Sequence, residues 1–376
     1  MADIALAEVF PPGDFIREEI EARGWTQQEL ADILARPLQT VNEIIRGKKR
    51  ITSETAQELA HAFGTSPQLW LNLENSYRLS LLPRHDNSIA KRARLRELGP
   101  INEMAKRGWI AASGNVDKVE EAILRFYDLN SLEETPRLGA AARKSTSYGE
   151  TTPSEMAWLY RAKQLAGTLK APEYTIERFS KGLTNLRRLS ASERAVQEVP
   201  RVLSEMGIRF VVVKHLPKMK TDGITFWLDD QSPVIAVSFR YSRIDWFWHT
   251  LGHELWHIKK KDVLVLENNL VGPQRVASSD KPKKEQEADR MASKLLLPQQ
   301  KIEGFIAKVR PYYSRAKIVD FATGIGVHPG IVVGQLQFRG EIPYSHSRAL
   351  LVNVRDYVIA TALVDGWEQQ MRSVSS

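Results

Sequence analysis

Apolar and polar positions follow two regimes along the chain. From residue 13 to 80 apolar side chains recur at helical spacing, interrupted at short intervals by turn and capping residues. Phe15–Ala22 lies between Pro12-Gly13 and Arg23-Gly24. Thr26, with Glu29 three residues later, forms a capping box that opens a second helix through Leu34. Pro37 occupies the first turn of a third helix, which runs through Ile45 and stops at Gly47. Thr52 and Ser66 cap a fourth helix to Phe63 and a fifth to about Arg78. Short connections between them predict a compact all-helical domain.

The pattern then changes. Residues 83–195 read as mainly helical, with breaks near Gly108, Gly114, Pro136, Pro153 and Pro172. β-Branched runs predict strands at Ile208–Val213, Ile224–Leu228 and Val234–Val237. Helical spacing returns at Ile244–Ile258 and Lys284–Leu297, and in shorter pieces over 301–337. Ala349–Val352 and Tyr357–Ala362 read as further strands. The expectation is an α+β chain in four parts. An all-α five-helix domain spans 1–82 and a mainly helical connector 83–195. A domain with a small sheet spans 196–345, and a C-terminal extension covers 346–376.

Leu30, Ile33 and Leu34 give the second helix an apolar face, and Val41, Ile44 and Ile45 do the same for the third. The break between them is short, so the two pack at a steep angle, as in a helix-turn-helix. The front of the third helix then faces outward with Gln39, Thr40, Asn42 and Glu43. Gln and Asn can pair with adenine edges, and Thr can touch a thymine methyl. Arg46, Lys48, Lys49 and Arg50 follow where phosphates would lie. Composition alone does not make this argument. The chain carries a net charge of +8, yet residues 1–80 hold eight basic against twelve acidic side chains.

The stretch PPGDFIREEIEARGWTQQELA…VNEIIRGKKRIT…TAQELAHAFGTSPQLWLNLE resembles the HigA-type antitoxins, a branch of the Xre-like helix-turn-helix proteins. The resemblance covers residues 11–80. It implies a five-helix fold that binds operator DNA as a homodimer, beside a toxin partner.

A second motif is His253-Glu254-Leu255-Trp256-His257. The chain has no cysteine, so a metal must be held by His, Asp or Glu. Two His at i and i+4 lie one turn apart on one helix face and can converge on one ion. Glu254 is placed to act as general base on water at the ion's open position. No third His follows at metzincin spacing. Instead there is Glu285-Gln286-Glu287-Ala288-Asp289-Arg290-Met291-Ala292, then Leu295-Leu296-Leu297-Pro298. This arrangement resembles the ImmA/IrrE metallopeptidases over residues 200–345. The resemblance implies a zincin-like fold, a zinc cofactor held by His253, His257 and Glu287, and catalysis by Glu254. Residue spacing leaves a rival open, Glu285 with Asp289 on a different helix face.

The chain departs from that family at two positions. Trp256 stands where a small glycine is usual, which would narrow access to the metal. His249 stands where Phe is usual, giving a column of His249, His253 and His257, and is read as packing or as a support to the ligands, with a hydrogen-bond donor to the transition state as the alternative. Trp246, Phe247 and Trp248 read as the core face of that helix. His328 reads as a loop residue, His215 as a strand end near the cleft, and Lys281, Lys283 and Lys284 as solvated.

No apolar run reaches the ~18 residues of a membrane span. MADIALAEVFPPGDF has neither the basic start nor the apolar stretch of a signal peptide, so a cytoplasmic, non-membrane protein is expected. Together the motifs predict a DNA-binding regulator that carries a zinc-dependent endopeptidase acting on a regulatory protein. The alternative is an antitoxin or repressor whose zinc fold is a non-proteolytic sensor or scaffold.

Overall fold

The computed structural model describes residues 9–82, 88–136, 151–262, 264–268 and 281–367. The chain divides into two compact units, residues 1–89 and 90–376.

The first unit holds α1 (Pro12–Arg23), α2 (Gln27–Ile33), α3 (Leu38–Ile45), α4 (Ser53–Phe63) and α5 (Pro67–Leu81). Local chemistry sets these limits. Thr26 Oγ1 accepts from the Glu29 amide at 3.1 Å, and Glu29 Oε2 accepts from the Thr26 amide at 2.6 Å, so the predicted capping box is present. Thr52 and Ser66 cap α4 and α5, and Gly64 ends α4 in the left-handed region. Ile16, Ile20, Leu30, Val41, Ile44, Ile45, Leu59 and Trp70 form one buried cluster. Arg36 and Glu58 close the outside with two hydrogen bonds, at 2.5 and 3.0 Å.

The boundary falls in the first turn of α6 (Ser88–Leu98), and the second unit continues with α7 (Ile101–Lys106), α8 (Val116–Tyr127), α9 (Pro153–Thr168), α10 (Ile176–Leu189) and α11 (Val199–Glu205). Then come β1 (Arg209–Val213), β2 (Thr221–Trp227), β3 (Pro233–Val237), α12 (Ile244–Lys260), β4 (Leu264–Asn268) and α13 (Lys283–Leu296). It ends with α14 (Gln299–Val309), α15 (Arg315–Ile325), α16 (Pro329–Phe338), α17 (Arg355–Ile359) and β5 (Leu363–Asp365). The five strands form one mixed sheet in the order β4-β2-β3-β1-β5. β1 runs parallel to β3 and β5, and β2 runs antiparallel to β3 and β4.

Alternation along the strands separates two cores. Val211, Val213, Ile224, Phe226, Val234 and Ala236 pack with α6–α9, while Phe210, Val212, Ile235 and Val237 pack with α10–α12 and α14–α16. Residues expected to connect two domains therefore supply one outer layer of this unit. Trp158 of α9 is fully buried, and its Nε1 donates to Val213 O at 2.7 Å. No single helix among the described residues is long and apolar enough to cross a membrane.

Two expected strands are corrected. Ala349 and Leu350 lie in a 3-10 turn at Arg348–Leu350, and Tyr357, Val358 and Ile359 lie in α17. The Asn353 side chain accepts from the Arg355 amide at 2.9 Å, a local turn that starts the helix and overrides the β-branched composition. The strand itself, β5, follows one step later.

Candidate metal centre and DNA-reading helix

α12 carries His253 and His257 one turn apart, with their Nε2 atoms 3.0 Å from each other. α13 crosses beside it. A Cβ on Gly252 would lie 3.1 Å from Ala292 Cα, so this glycine lets the two helices come close. That approach delivers Glu285, whose Oε2 lies 3.2 Å from Nε2 of both His253 and His257. All three side chains are fully buried, and their donor atoms lie within 4.8 Å of one another.

The third member of this cluster is Glu285, not Glu287. The buried stripe of α13 is Glu285, Ala288, Asp289, Ala292 and Leu296, at helical spacing. Two residues along a helix turn the side chain by about 200°, which takes Glu287 off that stripe to a half-exposed position. The spacing Glu285-x-x-x-Asp289 is the one that puts both side chains on this buried face.

Each histidine is held from behind. His253 Nδ1 faces Asp289 Oδ1 at 3.0 Å, and His257 Nδ1 faces Asp262 Oδ2 at 2.8 Å. Burial opposes charge on both aspartates, yet His249 and His253 hold Asp289 well below the usual carboxylate range, and His257 and Lys284 lower the pKa of Asp262. Asp289 Oδ2 also accepts from Lys281 Nζ at 2.8 Å, and Asp262 Oδ1 pairs with Lys284 at 2.8 Å. Lys281, expected to be solvated, is only 4% exposed. His249 Nε2 lies 3.5 Å from Asp289 Oδ1, so its place is behind the histidine pair.

Ionised aspartates fix each Nδ1 as the donor, which leaves each Nε2 presenting a lone pair. Two such lone pairs and a carboxylate oxygen then point at one another inside a dry site. A proton or a cation must sit among them. For His257, burial works against charge, but Asp262 and Glu285 outweigh it and raise the pKa to about 9. Two imidazoles and one carboxylate with supporting carboxylates are the donor chemistry that suits zinc.

Glu254 is also fully buried and faces β2. Its Oε2 accepts from Thr225 Oγ1 at 2.8 Å. Its Oε1 has no hydrogen-bond partner among the described residues. Burial raises its pKa; the two histidines pull it down by less. Gly223 makes room for this carboxylate, because a Cβ there would meet Oε1 at 2.9 Å. Thr225 and Gly223 share one face of β2, a pattern of period two that no motif in the sequence announced.

Trp256 stands outside the donor group, its ring flanked by Lys260 Nζ at 4.7 Å and Lys259 Nζ at 5.3 Å. His328 caps α16 by accepting from the Gly330 amide at 3.1 Å. His215 is half-buried at the end of β1, where burial and then Arg107 lower its pKa.

In the first unit, Val41, Ile44 and Ile45 bury the inner face of α3. Gln39 is exposed, and Thr40 and Asn42 are half-exposed on the outer side. Gln39 Nε2 donates to Glu43 Oε1 at 3.1 Å, which holds the amide along the helix surface. Arg46, Lys48 and Lys49 are exposed, and none forms an ion pair among the described residues.

Residues 16–70 match the helix-turn-helix family model. The chain is 35% identical over 69 residues to an uncharacterised HTH-type transcriptional regulator, YddM, of Escherichia coli K12, covering 18% of this chain and 73% of the relative. It is 35% identical over 79 residues to virulence-associated protein I of Dichelobacter nodosus, covering 21% of this chain and 73% of the relative. Among solved structures, it is similar to the antitoxin HigA of Pseudomonas aeruginosa with the higBA promoter. That match has 28% identity over 25% of this chain and 98% of that one, with a TM-score of 0.20. An addiction-module antidote protein of the HigA family from Coxiella burnetii gives 30% identity, 25% and 99% coverage, and a TM-score of 0.20. The chain belongs to the helix-turn-helix family through its N-terminal domain, a DNA-binding domain of the transcriptional-regulator type.

Proposed function

We propose that this protein is a DNA-binding regulator whose second unit is a zinc-dependent endopeptidase of the zincin type, acting on a regulatory protein. Residues 1–82 would engage operator DNA as a homodimer through α3. Gln39, Thr40 and Asn42 read bases, and Arg46, Lys48 and Lys49 contact phosphates.

His253, His257 and Glu285 would hold the metal, and Asp289 and Asp262 keep the two rings turned toward it. Zinc supplies Lewis acidity when bound, polarising a scissile carbonyl and making nearby water easier to deprotonate. Glu254 does the proton work. Its raised pKa suits a group that must accept a proton near neutrality and release it again. Thr225 anchors Oε2, so Oε1 is the atom that takes the proton from water and returns it to the leaving amine. The observation that carries this reading is that free, buried Oε1 beside three convergent donors. A site that only braces the fold has no use for it.

Complete burial of His253, Glu254, His257 and Glu285 supports a second reading, in which the metal fold is a non-proteolytic sensor or scaffold. Glu254→Gln separates the two. The variant should retain zinc and DNA binding, while turnover of the regulated protein in cells falls by about 10²–10⁴. If regulated transcription in Glu254→Gln cells matches wild type while a Gln39→Ala, Asn42→Ala strain is deregulated, the peptidase reading fails and the scaffold reading stands.

A further inference from the structure

Gly223, Thr225 and Trp227 alternate along β2 on the face opposite to Ile224 and Phe226, which pack toward α6–α9. Gly223 leaves room for the Glu254 carboxylate and Thr225 anchors it. Trp227 reaches the end of α12, where its Nε1 donates to Asp262 O at 2.9 Å. Tyr174 packs edge-on against the indole, with ring centroids 5.5 Å apart, and holds it in that direction.

The turn that receives this bond is a costly one. α12 ends at Lys261, whose φ of 55° and ψ of 39° place it in the left-handed region, which glycine adopts freely and lysine does not. The reversal lets the Asp262 amide donate back to His257 O at 2.9 Å, and it sets Asp262 Oδ2 against His257 Nδ1 at 2.8 Å. Asp262 therefore grips His257 twice, through its backbone and through its side chain. Its other carboxylate oxygen pairs with Lys284, an exposed side chain of α13. The Trp227 bond ties the same residue to the sheet.

We propose that Trp227 is a positioning residue for the metal centre: its indole N–H holds the left-handed turn so that Asp262 meets His257 and turns Nε2 of that ring toward His253 and Glu285. The proposal rests on the reading of these three side chains as metal donors. A bond to a backbone carbonyl does not touch the imidazole; it acts through the turn. Without it, Lys261 relaxes out of the left-handed region, Asp262 swings away, and His257 loses the partner that fixes its tautomer. His253 takes its orientation from Asp289 on α13 and does not depend on this turn.

The test compares full-length wild type with Trp227→Phe, which keeps an aromatic ring beside Tyr174 and removes the donor. In metal-free protein the Nδ1–H proton resonance of His257 should vanish through exchange with water, while that of His253 persists. Zinc affinity, read by competition with a chromogenic chelator, should fall by about tenfold, the low end of the loss expected when an orienting group is removed. Adding Lys261→Gly makes the turn easy to form, so the double variant should regain the His257 resonance and most of the affinity. If Trp227→Phe does not fold, 3-benzothienylalanine at position 227 keeps the shape of the indole, lacks its N–H, and is read in the same way. Both resonances retained, or both lost, in a folded variant overturns the proposal. So does a wild type in which His257 shows no protected N–H, or a double variant no better than Trp227→Phe. A wild type that shows both resonances and takes up no zinc refutes the metal reading instead, and the resonances alone then decide whether Trp227 aims His257.

Discussion

Gly223 lies directly against the carboxylate of Glu254: a Cβ on this glycine would sit 2.9 Å from Oε1 and 3.3 Å from Cγ. It would also meet Thr250 Cγ2 at 2.8 Å. Gly223→Ala should therefore displace Glu254 from Thr225 and cost about 1–3 kcal/mol in overpacking. The proposed metal donors on α12 and α13 are untouched, so metal content should not change. Denaturant unfolding and metal analysis of the purified variant check both halves. Wild-type stability would show that the strand does not hold this carboxylate.

Glu285 and Glu287 are two residues apart and should behave oppositely. Glu285→Gln removes a donor from the buried cluster and should strip most of the metal. Glu287→Gln changes a half-exposed side chain and should leave metal content intact. Elemental analysis of both proteins, prepared without chelator, reads the difference. Equal metal in the two variants would remove Glu285 from the ligand set.

The sequence disclosed the parts of this protein that depend on local rules. Capping by Thr26, Thr52 and Ser66 and the stop at Gly64 mark helix ends because each acts within one turn. The pair His253 and His257 is visible because helical geometry alone brings the two together. What crosses the fold was harder to read. Glu285 is chosen over Glu287 by the face that α13 turns toward α12, which is set by the stripe of Ala288 and Ala292 and by Gly252 on the other helix. Thr225 and Gly223 join the site from a strand about thirty residues upstream of Glu254, through pairing and alternation that no linear motif records. Lys281 reads as a solvated lysine in a basic run until Asp289 is placed beside it.

The outward side chains of α3 should divide into two classes. Gln39→Ala or Asn42→Ala should weaken binding to one operator by about 1–3 kcal/mol for each lost base pairing, with little effect on random DNA. Arg46→Ala, Lys48→Ala and Lys49→Ala should weaken both DNAs alike and each lower the salt dependence of binding by about one ion. Fluorescence anisotropy titrations across a range of salt distinguish the classes. Equal loss on operator and random DNA for Gln39→Ala and Asn42→Ala would show that α3 is not the reader.

Asp289 is not among the three convergent donors, but it orients His253 and is itself held by Lys281. Asp289→Asn keeps the shape and loses the charge that fixes the His253 tautomer. Metal affinity should fall by about 10–100-fold, the usual effect of removing such a support. Competition with a chromogenic chelator measures it. Lys281→Met should give a smaller loss in the same direction, since Asp289 then keeps its histidine but loses a counter-charge. An affinity equal to wild type in Asp289→Asn would mean that packing alone aims the ring.

Protons and zinc should compete at His257, and the direction follows from its pKa. Asp262 and Glu285 raise that pKa against the opposition of burial, to about 9. A histidine whose folded pKa lies above its unfolded value stabilises the metal-free protein fully below the unfolded value, about 6.5. That contribution is lost as the pH rises through about 9. Zinc requires the neutral ring, so each unit of pH below about 9 should cost roughly tenfold in apparent affinity while this one proton must leave. The rise in melting temperature on adding zinc to chelator-treated protein should therefore be small near pH 6 and grow steadily toward about pH 9, even as the metal-free protein becomes less stable over the same interval. Thermal scans with and without zinc across this range give the answer. A zinc effect that is flat with pH, or larger in acid, would mean that His257 carries no proton for the metal to displace.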